Sequence, residues 1–516
     1  MKHFKQPLGW WMSLVVLLAT ALTAEAQVTT ATIVGQVTDS QGQPLPGATV
    51  VAIHVPSGTK YGTVSNSAGR YTLLGVRVGG PFTVSATFVG YVSQNKENVS
   101  TSLGTSSTVS FSLSDQSTDL GGVEISANRN DIFSADRTGA ATTIDKQAIQ
   151  ALPTLGSRAI EDFTKYNPQG NGRSFGGQDS RLNNFTIDGS QFNNGFGLGS
   201  GTPAGSRTNS TAISLDAIEE IQVAVAPFDV RQSGFVGAGM NAVTRSGNND
   251  FSSSLYYNFR DNSKIFVGRT AHGLPVAVGK FNEDVAGIRL GGPIMKDKLF
   301  FFVNGEFQRR VQPAHSFVAT GSSNAGTATR VTTTDLDKVS ALVKSKYGYE
   351  TGPYELYDDP TNSDKFLARL DYNLNTNNKL TLRYTFHNSK DYVNISNSSS
   401  AGNGNRITAN SMSFQNSGYF IQDNTRSIVA ELNSTFGGKY ANNFLVGYDK
   451  QIEDRAYAGD IFPTVDILNN NSTYISVGFD PFTPDNKLNY GTFHITNNFT
   501  IFSGKHLFTL GANYEN

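Results

Sequence analysis

Cysteine is absent from all 516 residues, which excludes a disulfide scaffold and a thiolate metal site but says little about compartment. Charge of either sign is scarce in the balance: 41 basic against 42 acidic residues leave a net −1. With no basic run interleaved with aromatics, the chain presents no electrostatic case for nucleic acid. The seven histidines are scattered, without the pair spacing a metal needs. Long apolar runs are also missing. After residue 26 no segment is greasy enough to cross a bilayer as a helix, and the mean hydropathy is −0.29, so a helical membrane protein is disfavoured. Tryptophan occurs only at Trp10 and Trp11, whereas 52 glycines, 34 phenylalanines and 20 tyrosines suggest many strands and turns.

What is present begins with an export signal. Lys2 and Lys5 precede an apolar segment from Leu8 to Leu22, and Ala24-Glu25-Ala26 offers small residues at a cleavage site. Residues 1–26 are expected to be a secretory signal cut between Ala26 and Gln27. An uncleaved anchor is the alternative, disfavoured because the apolar core is short for a span.

Residues 27–114 read as a small all-β domain. "TIVGQVTDSQGQPLPGATVVAI" alternates, turns at Gly42 to Gly47 and alternates again; "GTVSNSAGRYTLLGV" repeats the plan and "FTVSATFVGYV" adds a strand. Strands at this spacing suggest a sandwich. The order Ile33-x-Gly-x-Val-x-Asp-x-x-Gly-x-Pro-Leu-Pro-Gly-Ala, then Gly69-x-Tyr71 and Gly90-Tyr91, resembles the carboxypeptidase regulatory-like domain. That family implies a prealbumin-like sandwich without catalytic residues, sometimes grouped with carbohydrate-binding domains. His54 is its lone histidine here, too few ligands for a zinc peptidase site. A spacer or docking role is favoured over ligand binding on fold analogy alone.

Residues 115–126 turn polar and flexible before an extended patch, Val123-Glu124-Ile125, emerges. From 127 to 249 the pattern is mixed α+β. Asp145 is placed to cap a helix running to Leu152, Ser157 another over 158–166, and Ser214 a third leading into "EEIQVAV". Between them a Gly-, Asn- and Ser-rich stretch surrounds one strand, Asn184 to Asp188.

After residue 250 every element recognisable in the sequence is a strand. In "FLARLDYNLNTNNKLTLRYTF", Phe366 to Leu374 alternate, Asn375 to Asn378 turn, and Leu380 to Phe386 resume, which predicts a hairpin. Counting similar runs gives nine strands, beginning at Phe251, Ala286, Leu299, Phe366, Leu380, Ile428, Phe444, Phe493 and Phe508. Connections near 295–298, 375–378, 437–442 and 503–505 are short; 260–283, 309–364, 389–426 and 450–490 are long and polar. Short turns on one side and long loops on the other suit an outer-membrane barrel, with lipid covering Leu382 and its like while Arg369, Asp371, Arg383 and His387 face a wet lumen. On that reading Leu382→Arg is damaging and Arg383→Leu mild. A soluble sandwich or propeller would alternate too, but seldom with this loop rhythm. Closed bacterial barrels take an even strand number, so 250–516 is expected to be the N-terminal part of a larger barrel, truncated here.

This layout resembles the TonB-dependent outer-membrane receptors, specifically the Oar-like group. "IEEIQVAVAPFDVRQSGFVGAGMNAVTRSGNNDF" from Ile218 and "FTIDGSQFNN" from Phe185 carry the likeness; Val225-Ala226-Pro227 stands where many receptors have Lys-Gly-Pro, so the siderophore branch is less similar. The resemblance implies a mainly β protein: regulatory-like sandwich, α+β plug over 127–249, and antiparallel barrel of about 22 strands blocked by that plug. It implies active import of a bulky solute such as a siderophore, oligosaccharide or peptide. The partners implied are TonB with its inner-membrane energising complex, outer-membrane lipid, an extracellular solute and a surface lipoprotein. TonB pulls a short extended box by strand pairing, which needs free backbone groups rather than particular side chains; Leu120, Gly121, Gly122, Val123, Glu124, Ile125 and Ser126 are the candidate, with a plain linker as the alternative.

Candidate solute-facing plug residues are Arg173, Asp179, Arg181, Asn183, Asn184, Gln191, Phe192, Asn193, Asn194 and Phe196. The competing role is hydrogen bonding of plug to barrel wall, expected for Arg181 and Asp188 in particular. Gly172-Arg173-Ser174-Phe175-Gly176 matches the nucleophile-elbow string but lacks the strand–turn–helix frame. The Gly197-x-Gly199-x-Gly201 run precedes Thr-Pro rather than a helix, so no dinucleotide site follows. No cofactor, metal or catalytic residue is expected. The alternatives to an importer are a non-transporting surface, adhesive or structural barrel, and a secreted peptidase disfavoured by its missing zinc set.

Overall fold

The computed structural model describes residues 28–115, 140–151, 160, 167–225, 227, 229–262, 281–398, 400–401, 405–503 and 506–516. The signal segment with Ala26 and Gln27, the patch Leu120–Ser126 and, Ile160 apart, the helix expected over 158–166 lie outside the described residues. Among the described residues no helix is long and apolar enough to cross a membrane.

The first body is a β-sandwich. Strands Ala31–Asp39, Arg70–Val76, Ser106–Thr108 and Phe111–Leu113 form one sheet; Thr59–Val64, Thr49–His54, Gly79–Thr87 and Gln94–Thr101 form the other in that order. Alternation decides the faces: Thr59, Tyr61 and Thr63 point in, Lys60, Gly62 and Val64 out. Ile33, Val50, Tyr71, Phe82, Val84 and Phe111 fill the space between the sheets. Gly69 turns the chain at φ 71°, where a Cβ would stand 2.5 Å from the Val37 carbonyl oxygen, so glycine is required there. His54 is buried with Nδ1 2.7 Å from Ser57 Oγ.

A five-stranded sheet follows, ordered Ser190–Gln191, Asn184–Ile187, Ala238–Thr244, Ile218–Val225, Ala140–Asp145. The helix Lys146–Ala151 starts where expected, with Asp145 Oδ1 accepting from the Ala148 amide at 2.8 Å. Ser214 caps a single 3-10 turn, Leu215–Ala217, that feeds the Ile218–Val225 strand. Phe175, Phe185, Phe192, Ile213, Ile221 and Met240 make the core, and two barrel side chains, Phe302 and Leu367, complete it. The sheet therefore packs inside the curved wall.

That wall is one antiparallel sheet of nine strand positions. In order they are Ser252–Asp261, Asn282–Met295, Leu299–Pro313, Asp358–Asn373, Asn378–Val393, a position shared by Tyr419–Gln422 and Asn424–Phe436, then Tyr440–Tyr457, Lys487–Ser503 and His506–Glu515. Each of the nine alternating runs in the sequence lies in one of them. The hairpin pairs Phe366 with Phe386, Leu370 with Leu382 and Tyr372 with Leu380. Phe366, Leu370, Leu382, Tyr384, Ile428, Phe444, Tyr448 and Phe493 are exposed on the outside, while Arg383, Thr385 and His387 are buried on the inside. Roughly 9–11 residues suffice to cross a bilayer; strands of 15 to 18 residues project well past it on the long-loop side.

There the long connections fold into a cap instead of remaining irregular. A helix, Thr333–Tyr347, corrects the all-strand expectation after residue 250: Thr332 Oγ1 accepts from the Asp335 amide, and Gly348 at φ 70° ends it. Leu336, Val339 and Val343 from its inner face join Ala319, Tyr349, Phe414 and Ile475 in a separate core. Short pairings tie Phe317–Thr320 to Thr327–Thr332 and Met412–Ser413 to Ser472–Val477. A buried Arg406–Asp466 pair, 2.9 Å, links two of the connections.

Candidate functional site at the plug and barrel wall

The plug sheet is fastened to the inner wall by charge. Asp188 ends the Asn184–Ile187 strand in a left-handed conformation, φ 43°, one that aspartate tolerates better than most residues. Its carboxylate accepts from the Thr244 amide at 2.8 Å and hydroxyl at 2.6 Å, and pairs with Arg369 at 3.3 Å and Arg383 at 3.0 Å. Burial alone would raise its pKa, but Arg369, Arg383 and Thr244 outweigh burial and hold it below the usual carboxylate range. Arg383 is 1% exposed and lies 5.3 Å over the Phe192 ring. It is thus a structural clamp rather than a water-facing wall residue. That overturns the expectation that Arg383→Leu would be mild, since it leaves buried Asp188 with Arg369, which Asp371 shares.

Further contacts hold the plug. Arg207 pairs with Glu453 at 3.2 Å, both buried, and the amides of Gly205 and Arg207 donate to Asp423 at 2.9 and 3.3 Å. Asp423 is the break between Tyr419–Gln422 and Asn424–Phe436, so the interruption turns a carboxylate toward the plug. On another face Ser214 donates to Glu306 at 2.8 Å, and Glu306 pairs with Lys365 at 2.9 Å. Sequence reasoning missed Asp423, Glu453, Glu306 and Lys365. The available signal was strand parity, which turned the neighbours Phe307 and Phe366 outward and so Glu306 and Lys365 inward.

The ten candidate solute-facing residues divide. Asp179, Arg181 and Phe196 are exposed, and Arg173, Gln191 and Asn193 half-buried. Asn183, Asn184, Phe192 and Asn194 are buried, which corrects their assignment: their side chains are spent on holding the plug together. Asn183 Oδ1 accepts from Ala238 and its amide donates to the Arg173 and Ser180 carbonyls; Asn184 donates to the Ser233 carbonyl; Phe192 is core; Asn194 donates to Glu453 at 2.9 Å. Arg181 is corrected in the other direction. It pairs with Asp179 two residues away, 2.9 Å, not with the wall, and its hydrogen bonds hold Asp179 well below the ordinary carboxylate range. Gly172 and Arg173 turn the chain between the two-residue strands Gly170–Asn171 and Ser174–Phe175, so Ser174 sits in a strand and has no elbow.

Three apolar side chains of the plug are exposed: Leu182, Phe196 and Leu198. Phe196 packs edge-on to barrel Tyr490 at 5.1 Å, and the Tyr490 hydroxyl accepts from the Gly195 amide at 3.1 Å and lies 2.6 Å from both Gln451 and Glu453. The surface so built, aromatic and aliphatic with an Arg181–Asp179 rim, can receive an amphipathic solute. Among the described residues no cluster of histidine and carboxylates could hold a metal.

Known proteins share this architecture. Residues 32–114 match the carboxypeptidase regulatory-like domain. The TonB-dependent transporter Oar of Myxococcus xanthus is 26% identical over 163 residues, 28% of this chain and 14% of that protein. The outer membrane transporter YddB of Escherichia coli superposes with a TM-score of 0.50 at 12% identity, over 73% of this chain and 48% of its own. The siderophore receptor PirA of Acinetobacter baumannii gives 0.46 at 15% identity, over 73% and 47%. The chain thus spans about half the length of these two solved proteins, and at 12% identity the likeness to YddB is one of fold. Residues 243–516, more than half of the chain, match the outer membrane beta barrel domain, and the chain belongs to that family of bacterial outer-membrane barrels.

Proposed function

We propose that the protein imports a bulky amphipathic solute across the outer membrane, driven through TonB, by movement of the plug within the barrel. The observation that carries this reading is the plug itself: a five-stranded sheet fastened to the inner wall by the Asp188–Arg369–Arg383 and Arg207–Glu453 pairs. A wall so blocked passes solute only if those pairs part, and breaking buried ion pairs needs outside work. The distant Oar relative, named a TonB-dependent transporter, supports the same energy source. Solute meets Asp179, Arg181 and Phe196 first, with Arg173, Gln191 and Asn193 beneath; siderophore, oligosaccharide and peptide are the classes to screen. Leu120 to Ser126 is the segment offered to TonB by strand addition, and a surface lipoprotein is a candidate partner for the cap. Domain limits of 27–114, 127–249 and 250–516, with 115–126 as the linker, accompany this reading, after removal of 1–26.

Deleting residues 120–126 is expected to abolish energised uptake while binding at the cell surface persists. Normal uptake by the deletion strain refutes the reading. A non-transporting surface protein is the second reading, favoured by the packed cap around Leu336, Tyr349 and Phe414. A protonophore separates the two, since only an importer loses solute accumulation when the proton gradient collapses.

A further inference from the structure

The sandwich is docked on the short-turn side of the barrel and on the plug at once. Leu103 is gripped through both backbone groups: its amide donates to Glu220 Oε1 at 2.6 Å and its carbonyl accepts from Gln222 Nε2 at 2.6 Å. Its side chain packs with Val28, Val78 and the plug's Val243 in a cluster separate from the sandwich core. On the barrel, Asn373 Nδ2 donates to Thr59 Oγ1 at 3.0 Å, Thr63 Oγ1 to the Gly438 carbonyl at 3.4 Å, and Lys379 lies 4.2 Å over the Tyr61 ring. Thr29 and Asn443 approach to 3.5 Å beside a crevice of about 60 Å³. These barrel residues lie at or beside the short connections near 374–377 and 437–439.

We infer that the regulatory-like sandwich is a clamp across the periplasmic mouth, which holds plug strands Ile218–Val225 and Ala238–Thr244 in place and must release before the plug moves. The contacts bridge three bodies, so plug movement cannot leave them intact. Here the inference rests on Leu120 to Ser126 being the pulled segment. From Asp115, the last described residue of the sandwich, to Leu120 an extended chain reaches ~18 Å; from Ser126 to Ala140, the first of the plug sheet, it reaches ~50 Å. The tether on the sandwich side is thus the shorter of the two.

None of these 516 residues is cysteine, and each cysteine pair is compared with its two single-cysteine variants. Thr29→Cys with Asn443→Cys, and separately Thr59→Cys with Asn373→Cys, are oxidised in outer membranes of cells producing the protein. Amide exchange of strands 218–225 and 238–244 is measured with and without Leu103→Asp, which lies outside the sandwich core, and with the milder Gln222→Ala. Leu103→Asp is expected to speed exchange in both strands at least ten-fold, Gln222→Ala by less, and either cross-link to restore protection. Exchange unchanged within two-fold by both variants overturns the clamp, as does failure of both cysteine pairs to cross-link. In uptake assays the cross-linked protein is expected to bind solute but not import it until reduced; import unaffected by the cross-link also overturns the clamp. Absence of uptake even in the native protein counts against the importer reading alone, because amide exchange still decides the clamp.

Discussion

At the scale of single residues, neighbours 382 and 383 carry opposite costs from opposite surroundings. Leu382 is 41% exposed on the outer face and Arg383 1% exposed on the inner one. Leu382→Arg is expected to cost roughly 2–4 kcal/mol for a cation placed among acyl chains near mid-membrane. Arg383→Leu is expected to cost about 3 kcal/mol, because Asp188 stays buried with Arg369 as its remaining guanidinium. Urea unfolding in detergent micelles checks both, and it separates them by location: the first change loosens the barrel, the second the plug alone. A mild Arg383→Leu would mean that water reaches Asp188. Parity placed Arg383 inward from the sequence alone, but what it meets there depends on a strand about two hundred positions earlier, and no local pattern encodes that encounter.

At the scale of elements, the hairpin from Phe366 to Phe386 was legible because alternation, a four-residue Asn-rich turn and resumed alternation all agree. The helix Thr333–Tyr347 was not, though its signals were present: Thr332 three residues before Asp335, Leu336-x-x-Val339-x-x-x-Val343 on one face, and Gly348 at the end. Its polar, charged outer surface made it resemble loop, since its apolar stripe is completed by Phe414 and Ile475 from other connections. The buried asparagines of the plug were misread for the same reason. A Gly- and Asn-rich stretch looks exposed until Asn183 and Asn184 are seen serving backbone groups of neighbouring turns. For the cap, Thr332→Ala is expected to cost about 1 kcal/mol through loss of the helix N-cap. Faster proteolysis between 333 and 347 on intact cells is the readout; unchanged proteolysis would mean that tertiary packing alone holds the helix.

At the scale of the whole molecule, sandwich and plug meet at Glu220. Burial pushes its carboxyl up to about 8, with Glu219 and Asp145 adding to the effect and the Leu103 amide opposing it. A pKa raised on folding means that the docked state prefers the proton. Its contribution is fully present below the unfolded value near 4.5 and is lost as pH rises through about 8. Docking of the sandwich is therefore expected to weaken between about pH 5 and 8, while Glu220→Gln, which keeps the acceptor for Leu103 and removes the charge, is expected to flatten that dependence. Cross-linking yield at Thr29→Cys/Asn443→Cys across this pH range measures it, and an equal slope in both proteins would exclude Glu220 as the cause.

All three scales depend on acyl chains covering every second side chain of the wall. Both tryptophans of these 516 residues, Trp10 and Trp11, precede the expected cleavage site, and single tryptophans introduced one at a time from 380 to 386 are read as differences from the unsubstituted protein. In bilayers of brominated phospholipid, fluorescence is expected to be quenched strongly at 380, 382, 384 and 386 and weakly at 381, 383 and 385. Uniform quenching along the series, or none at any position, would contradict a lipid-facing barrel wall.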